Sequence, residues 1–579
     1  MTRLQEAIDS LDESQARAFN VAGHSVVLAP PGSGKTRLLV TRLVHDLERT
    51  IATPRGAACI TLTNDAASEV HDRFGELSAD SRSNLFVGTV HAFALTRIIR
   101  PLAAAVGQPA LATARIARKD ALATLWDEAV AEVGVPSDER RLLFGTVDRF
   151  RKLMAPEEVW TTLGSYPVSV RDAYLRNMDE QGLLDFGRVI EKAVEFVEGS
   201  EGARAALRAQ FAAIYVDEYQ DLAPGLDRIV RTLALGDGDN QSTLFAVGDV
   251  DQAIYGWTGT NPALLRNLAA EASVVVSHLE TNYRSGSTIV EASRRLYGGV
   301  SIPNSVRGGG EITVVRVAGS IEGQADWVAQ KIPAHAAAGV NLEEIGILCR
   351  TNDIGAVVAS RFAEAGVSAW FRTNELWETP TSTLLERLCA WAAHGHEASG
   401  QNIVQVTDEL RRSNPGLATR AVGVAMAAAV TADPTALALP FIQLLIDQMS
   451  GGGTEEAIAA LVEETDGLIE ALSSGSLTDT SIADLGARRV TAGKVFITTL
   501  TSSKGLEFDH VYVLDLEDGR VPFFTSFDKP DELTEERNKF YVAITRARYS
   551  VTLLWSGFTV TRFGNRNNPV SRFVTELNL

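Results

Sequence analysis

One segment constrains the fold of this chain more than any other: an apolar run that leads through a glycine-rich loop into a helical pattern. The run Ser25–Leu28 precedes the loop Ala29–Gly34, and Lys35 and Thr36 begin the helical residues. Loop amides and a helix N-terminus hold phosphate oxygens, a lysine neutralises them, and a threonine hydroxyl ligates Mg²⁺. The segment therefore predicts a phosphate-binding loop. Its predicted phosphate-binding residues are Gly32, Ser33, Gly34, Lys35 and Thr36.

An acidic pair follows a second apolar run, as a nucleotide-hydrolysing site requires. Phe211–Val216 has the composition of a buried strand, and Asp217 and Glu218 come directly after it. Adjacent strand residues point to opposite faces, so the two acids cannot have the same role. We expect Asp217 to be the Mg²⁺ partner and Glu218 to orient and deprotonate an attacking water.

A third apolar run, Thr243–Val247, leads into a segment with one amide and two aromatic side chains. We expect Gln252 to hydrogen-bond both a γ-phosphate and the attacking water. Tyr255 and Trp257 have the chemistry of a platform on which nucleic-acid bases stack. An aromatic pair after a strand is also typical of a hydrophobic core, and the residues alone leave both interpretations open.

Short apolar runs alternate with helical patterns along two stretches of the chain. In the first stretch, Ser25–Leu28 and Ala58–Leu62 are each followed by residues at helical spacing. In the second, Ile345–Cys349 and Val511–Leu514 have the composition of buried strands. This order predicts an α/β fold with parallel sheets covered by helices. All-helical patterns interrupt both stretches, so we predict two α/β cores that each carry a helical insertion.

The composition excludes several other classes of protein. A chain of 579 residues is too long for one domain. Cys59, Cys349 and Cys389 are too few for a disulfide framework, a zinc site or an iron–sulfur cluster. Because no apolar run reaches the ~18 residues of a membrane span and no signal sequence is recognisable, we expect a soluble, cytoplasmic protein. The net charge of −19 argues against a basic coat for nucleic acid, but it allows a locally lined groove.

The order and composition of these motifs resemble superfamily 1 helicases of the UvrD/Rep/PcrA type. Further segments are similar to other motifs of that family. They are Leu11–Gln15 (Q motif), Ile60–Ala67 (motif Ia), Val87–Phe93 (Ib), Leu279–Ser285 (IV), Thr499–Phe508 (V) and Glu535–Ala547 (VI). The resemblance extends through both α/β cores and implies two RecA-like parallel-sheet cores of the P-loop NTPase class, each with a helical insertion.

The resemblance gives many of these residues a role at a nucleotide. It implies ATP as the nucleotide, Mg²⁺ held by Thr36 and Asp217, and Arg546 as an arginine finger. Gln15 would read the adenine, and Tyr283 would stack on it. The implied catalytic residues are Lys35, Asp217, Glu218, Gln252, Arg284 and Arg546. The implied nucleotide-binding residues are Gln15, Gly32, Ser33, Gly34, Lys35, Thr36, Tyr283, Gly505 and Glu507.

The resemblance also implies a channel for single-stranded DNA. The implied contacts are Leu62, Thr63, Asn64, Thr89, His91, Tyr255, Trp257 and Thr501. Leu62 stands where the family usually has phenylalanine, which weakens one wall of a base pocket, and Thr501 stands where it commonly has histidine. Stacking and phosphate contacts imply little sequence preference.

The resemblance divides the chain into four parts. They are the ATP-binding core 1A (1–96 and 209–279), the helical insert 1B (97–208), the core 2A (280–375 and 491–579) and a shortened helical insert 2B (376–490). In this division Lys35 and Arg546 lie on different cores, so ATP between them would couple closure to hydrolysis.

We therefore predict an ATP-dependent DNA helicase or translocase that moves 3′→5′ on single-stranded DNA and unwinds duplex, in DNA repair or genome maintenance. Its partners would be single-stranded and tailed duplex DNA, and inserts 1B and 2B would offer surfaces to a protein partner. The short 2B insert supports an alternative, an ATP-switched DNA-binding subunit of a nuclease or antiviral complex without autonomous unwinding. A P-loop kinase is a third interpretation, but it gives no role to Tyr255, Trp257 or Arg546.

Overall fold

The computed structural model describes residues 2–78, 84–117, 119–137, 139–238, 240–256, 259–298, 303–371, 379–399, 402–414, 416–475, 477–561 and 564–579. The chain divides into two compact units. The first unit comprises Met1–Ile312, Val521–Tyr549 and Ser571–Leu579, and the second comprises Thr313–Arg520 and Ser550–Val570.

Strands and helices alternate through much of both units. The strands are β1 His24–Leu28, β2 Gly56–Thr61, β3 Leu85–Thr89, β4 Arg115–Ile116, β5 Leu183–Leu184, β6 Phe211–Val216, β7 Thr243–Gly248, β8 Val274–His278, β9 Thr281–Asn282, β10 Asn304–Ser305, β11 Glu311–Arg316, β12 Ile345–Cys349, β13 Ala369–Phe371, β14 Val495–Thr499, β15 Phe508–Val513, β16 Ala547–Trp555, β17 Phe558–Thr561 and β18 Gly564–Asn567.

The α-helices range from one turn to several. They are α1 Arg3–Asp9, α2 Glu13–Phe19, α3 Lys35–Arg49, α4 Asn64–Leu77, α5 Val90–Phe93, α6 Arg100–Leu102, α7 Lys119–Val133, α8 Arg140–Lys152, α9 Glu157–Thr162, α10 Ser165–Glu180, α11 Phe186–Gly199, α12 Glu201–Gln210, α13 Pro224–Ala234, α14 Ala263–Ala269, α15 Ser287–Arg295, α16 Ile321–Ala329, α17 Ile332–Ala337, α18 Asn352–Glu364, α19 Pro380–Ser399, α20 Ile403–Ser413, α21 Thr419–Val430, α22 Ala438–Ser450, α23 Glu455–Ser473, α24 Ile482–Ala487, α25 Pro530–Ile544 and α26 Arg572–Glu576.

The first unit is built on a six-stranded parallel sheet with the strand order β3-β2-β6-β7-β1-β8. Val26 and Val27 are adjacent on β1, so they point to opposite faces and are buried in different apolar clusters. Val27 shares its cluster with Leu39 of α3, and Val26 shares its own with Leu226 of α13. Helices therefore cover both faces, and the loops that follow the parallel strands meet at one edge of the sheet.

Between β3 and β6 the first unit is mostly helical. Helices α7 to α10 have a small apolar core of their own, formed by Leu125, Ala129, Trp160, Tyr174 and Met178. Such a core lets these helices fold as a distinct layer beside the sheet rather than as a loop.

The second unit contains a six-stranded sheet with the order β11-β16-β15-β12-β14-β13, in which β12 pairs in parallel with both β14 and β15. Ile345, Ile347 and Cys349 of β12 are buried in its centre. Helices α19 to α24 form a separate apolar cluster that includes Leu388 and Leu445. The predicted α/β class, with two parallel-sheet cores and helical insertions, is thus confirmed.

Within the ranges that the structure describes, no helix has both the length and the apolar character that crossing a bilayer requires.

Candidate active site

The predicted phosphate-binding loop connects β1 to α3 at the carboxyl edge of the first sheet. Gly32 and Gly34 have φ values of +71° and +80°, in the left-handed region that favours glycine. A Cβ atom on Gly32 would lie 2.6 Å from Cβ of Arg284, so this position also has no room for a side chain. Gly34 is the N-cap of α3, and Lys35 and Thr36 form its first turn. The loop therefore has the backbone and helix start that a phosphate group needs.

Lys35 and Glu218 form the charged centre of the site. The Lys35 side chain is buried, and its Nζ donates to the carbonyl oxygen of Ala29 at 3.3 Å. The same Nζ lies 3.8 Å from Oε1 of Glu218. A buried ammonium this close to a carboxylate is well placed to bind phosphate oxygens beside the predicted base.

Thr36 and Asp217 provide two oxygen ligands of the kind that Mg²⁺ prefers. Oγ1 of Thr36 donates to Oδ2 of Asp217 at 3.0 Å. Burial, together with the neighbouring Glu218 carboxylate, raises the pKa of Asp217 to about 7, although Lys35 and the Thr36 hydroxyl act in the opposite direction. A bound divalent cation would supply the missing positive charge, so the residues fit the predicted metal.

The backbone of Glu218 is held in an uncommon conformation. Its φ of +53° and ψ of 49° lie in the left-handed region, which costs a residue other than glycine about 1–3 kcal/mol. Its amide donates to Oδ1 of Asp217 at 3.0 Å, and a short 3₁₀ turn, Tyr219–Asp221, follows it. Strain of this kind concentrates at functional sites, in agreement with the role predicted for Glu218.

Gln252 and Arg546 meet within the first unit. Nη2 of Arg546 donates to Oε1 of Gln252 at 3.3 Å, and Nε2 of Gln252 donates to Oδ2 of Asp249 at 2.9 Å. Arg546 is only 2% exposed, and its Nε donates to the carbonyl oxygen of Val542 in α25. A buried guanidinium therefore contacts the amide that sequence predicts at the γ-phosphate.

Two residues that the resemblance assigns to the adenine contact the phosphate-binding loop. Nε2 of Gln15 donates to the carbonyl oxygen of Ser33 at 2.9 Å. The backbone N–H of Tyr283 donates to the carbonyl oxygen of Gly32 at 2.8 Å. The hydroxyl of Tyr283 donates to Asp12 at 2.6 Å, and 36% of the residue remains exposed. Gln15 and Tyr283 thus border the loop, with a partly exposed ring available for stacking.

Arg284 also belongs to this group. Its amide donates to Oδ1 of Asn282 at 2.9 Å, and Nη1 donates to the carbonyl oxygen of Thr545 at 3.3 Å. The first unit includes residues 280–312 and 521–549, which the sequence division places in core 2A. Lys35, Asp217, Glu218, Gln252, Arg284 and Arg546 therefore all lie in one compact unit.

The predicted DNA contacts of motifs Ia and Ib follow two neighbouring strands. β2 pairs with β3, and Thr61 and Thr89 are opposite each other at their ends. The hydroxyls of Thr63 and Thr89 accept from the amides of Ala66 and Ala92, so they cap α4 and α5. These side chains start helices at the carboxyl edge of the sheet, and the neighbouring predicted contacts are Leu62, Asn64 and His91.

Of the two predicted stacking residues, Tyr255 lies within the part of the chain that the structure describes. Tyr255 is half-buried after the 3₁₀ turn Val250–Gln252. Trp257 lies outside the described residues. The stacking platform therefore stays a prediction.

Phe186 is a candidate DNA contact that sequence reasoning missed. Phe186 is 60% exposed, and its ring centroid lies 5.0 Å from that of His91 in an edge-to-face arrangement. Burial, with a smaller effect of Lys152, lowers the pKa of His91 and so favours its neutral form. The local signal was Asp185, whose carboxylate caps α11 and places Phe186 at the first helical position. The exposed ring of Phe186 therefore offers a face on which a base can stack.

Motif V lies in the second unit, between β14 and β15. The hydroxyl of Thr499 accepts from the amide of Ser502 at 3.0 Å and so fixes the turn in which Thr501 lies. Gly505 has a φ of +87°, and Glu507 directly precedes β15 with an exposed side chain. The roles of Thr501, Gly505 and Glu507 remain predictions from the resemblance.

Comparison with known families identifies the class of protein that this fold and site define. The UvrD/REP helicase N-terminal domain matches residues 11–273, and the UvrD-like helicase C-terminal domain matches residues 277–376 and 443–557. Together the two matches cover most of the chain, so it belongs to the UvrD/REP helicase family. The predicted family is thereby confirmed.

Curated relatives agree with this assignment. The chain is 26% identical to an ATP-dependent DNA helicase PcrA of Staphylococcus epidermidis, over 98% of the chain and 86% of the relative. It is similarly 26% identical to the PcrA helicase of Staphylococcus aureus, with the same coverage. It is 24% identical to DNA helicase II of Haemophilus influenzae, over the whole chain and 88% of the relative.

Proposed function

We propose that this chain is an ATP-dependent DNA helicase that moves 3′→5′ on single-stranded DNA and unwinds duplex. The observation that carries the proposal is the arrangement of six polar side chains around the phosphate-binding loop of one unit. Lys35 lies near Glu218, Thr36 contacts Asp217, and Arg546 contacts Gln252. Membership of the UvrD/REP helicase family and relatives that are named helicases support the same conclusion.

At this site the chain's own residues would hold and cleave a nucleoside triphosphate. Lys35 and the loop amides would bind phosphate oxygens, and Thr36 and Asp217 would hold Mg²⁺. The metal, when bound, neutralises charge that develops on the phosphate oxygens. Glu218 would accept a proton from the attacking water, and Gln252 would orient that water.

Arg284 and Arg546 would add positive charge opposite the negative charge of the nucleotide phosphates. Their guanidinium groups carry positive charge to the site from residues that follow β9 and α25 in the chain. Positive side chains at the transferred phosphoryl group raise turnover by about 10³–10⁵ in related hydrolases. Movement of these groups on loss of the γ-phosphate would link hydrolysis to a step along DNA.

The DNA path that we propose begins at the ends of β2 and β3. Leu62, Thr63, Asn64, Thr89 and His91 would line it together with Phe186 and Tyr255, and Trp257 and Thr501 are the further contacts implied by the family. Aromatic rings that stack on bases and amides that bind phosphates show little preference for the nucleotide sequence. This surface therefore favours a general translocase over a sequence-specific binder.

We place this activity in DNA repair or genome maintenance, in the cytoplasm, with single-stranded and tailed duplex DNA as partners. The division into 1A, 1B, 2A and 2B, and a protein partner at inserts 1B and 2B, are part of the same proposal.

The alternative, a DNA-binding switch in a nuclease or antiviral complex, is less well supported, because relatives named helicases match 98% or more of the chain.

The test is ATP turnover with and without single-stranded DNA, followed by unwinding of tailed duplexes. We expect negligible turnover without DNA, strong stimulation by an oligonucleotide, and displacement from 3′-tailed but not 5′-tailed or blunt duplex. Stimulated turnover without displacement would instead favour the switch. Phosphorylation of an added acceptor would favour a kinase.

A further inference from the structure

Gln220 is a fully buried glutamine in the 3₁₀ turn that follows Glu218. Its Nε2 donates to Oε2 of Glu218, the predicted base. Its Oε1 accepts from the amide of Asp249 at 2.9 Å. The side chain therefore joins the acid at the end of β6 to the segment that begins at the end of β7.

The orientation of the Gln220 amide is fixed by its surroundings. The backbone N–H of Asp249 requires an acceptor, and the Glu218 carboxylate requires a donor. Only one orientation of the amide satisfies both. Gly248 fits this contact closely, because a Cβ atom there would lie 2.6 Å from Oε1 of Gln220.

The two oxygens of Glu218 have different surroundings as a result. Oε2 accepts from Gln220, whereas Oε1 lies 3.8 Å from Nζ of Lys35. The left-handed backbone at Glu218 further restricts where its carboxylate can lie, because the allowed side-chain rotamers depend on the backbone conformation. The carboxylate is thus held from one side with its other oxygen directed to the phosphate-binding lysine.

The contact continues beyond Asp249. Oδ2 of Asp249 accepts from Gln252 at 2.9 Å, and Oε1 of Gln252 accepts from Arg546 at 3.3 Å. A continuous series of hydrogen bonds therefore runs from Glu218 through Gln220 and Asp249 to the amide and the guanidinium. Because these groups are hydrogen-bonded in series, a shift of one changes the surroundings of the next.

We infer that Gln220 is a positioning residue for hydrolysis: it orients the Glu218 carboxylate toward the attacking water and sets its distance from the Gln252 segment. The inference rests on the proposed function. Gln220 would act through Glu218, and nucleotide binding would not depend on it. Displacement of a reacting group by about 1 Å lowers a rate by about 10²-fold, which sets the expected size of the effect.

The test compares Gln220→Glu and Gln220→Ala with the wild type in DNA-stimulated ATP turnover. Gln220→Glu keeps the volume of the side chain but places a second carboxylate against Glu218. We expect both variants to lower kcat by about tenfold to a hundredfold, with nucleotide Kd close to that of the wild type. Gln181→Ala, at an exposed glutamine, is the matched control and should change neither quantity.

A second measurement shows whether Gln220 acts through Glu218. In a Glu218→Gln background, Gln220→Ala should cause no further loss of single-turnover hydrolysis, because the group that it orients is already gone. The same fractional loss in both backgrounds, a normal kcat, or a parallel loss of Tm and nucleotide affinity in both Gln220 variants would overturn the inference. If the wild type fails to hydrolyse ATP with DNA, the proposed function falls and the inference with it. Wild-type turnover with unaffected Gln220 variants overturns the inference alone.

Discussion

Lys35 and Glu218 lie 3.8 Å apart, but their substitutions should fail in different ways. Lys35→Ala removes the ammonium that binds phosphate oxygens, so we expect nucleotide affinity itself to be lost. Glu218→Gln keeps the shape of the side chain and removes the base, so we expect ATP to bind with near-normal Kd and turnover to fall by at least about 10²-fold. Titration of a fluorescent ATP analogue, with turnover measured in parallel, separates the two; equal loss of affinity in both variants would contradict these roles.

Arg546 offers a second test at the scale of single residues. Arg546→Lys keeps the positive charge but loses the planar fork that contacts Gln252. If Arg546 stabilises the transition state, kcat should fall by about 10³-fold or more while nucleotide Kd changes little. Steady-state kinetics at saturating DNA measure the effect, and a lysine variant with wild-type kcat would exclude the arginine-finger role.

Phe186 should matter for DNA and not for nucleotide. Phe186→Ala removes the exposed ring beside His91, and each lost base stack costs about 1–3 kcal/mol of binding. We therefore expect weaker binding of single-stranded oligonucleotide with unchanged ATP affinity. Phe144→Ala is the matched control, since Phe144 is also an exposed phenylalanine between β3 and β6 but contacts Trp126 instead. Equal losses in the two variants would remove Phe186 from the DNA path.

At the level of the elements, a buried ion-pair network joins α8 to α11. Arg151 of α8 donates from Nη1 to Asp185 at 2.6 Å and from Nε to Glu191 of α11 at 2.8 Å. Removing one partner of such a pair costs about 3–5 kcal/mol, because the other charge stays buried. Arg151→Met should therefore destabilise these helices strongly. Arg176→Met, which breaks a half-exposed pair with Glu132, should cost less than about 1 kcal/mol.

The same pair predicts how stability changes with pH. Burial raises the pKa of Asp185, but the hydrogen bonds and charge of Arg151 outweigh burial and hold this pKa below its ordinary value of 3.8. The carboxylate therefore stabilises the fold at neutral pH, and this contribution is lost as the pH falls below about 4. Urea unfolding at pH 7 and in acid should show the Arg151→Met penalty shrinking in acid. A penalty independent of pH would contradict the ion-pair account.

The elements also show why sequence predicted some parts of the site and missed others. The phosphate-binding loop is contiguous, so Gly32 to Thr36 carry their chemistry in their spacing. Gln220 and Phe186 instead contact partners far along the chain, Asp249 and His91. Propensity and periodicity do not encode such contacts, because strand order in the sheet brings these segments together.

At the scale of the whole molecule, the compact units follow a different division from the one that motif order suggested. Residues 280–312 and 521–549 lie in the first unit, where Asn282 donates to Pro31 and Arg546 contacts Gln252. Sequence alone assigned these stretches to the second core, since they follow one another as family motifs. The four-part division therefore stays a proposal, while the family and the two parallel-sheet cores are established.

Directional movement on DNA distinguishes a 3′→5′ motor from a protein that only hydrolyses ATP on DNA. Oligonucleotides carrying biotin at either the 5′ or the 3′ end are bound to streptavidin, and the rate of ATP-driven displacement is measured with the wild type and with Glu218→Gln. We predict displacement from the 5′ end by the wild type only, because a 3′→5′ motor runs into a block at that end. Displacement from the 3′ end alone, or none from either end despite DNA-stimulated ATP turnover, would contradict it.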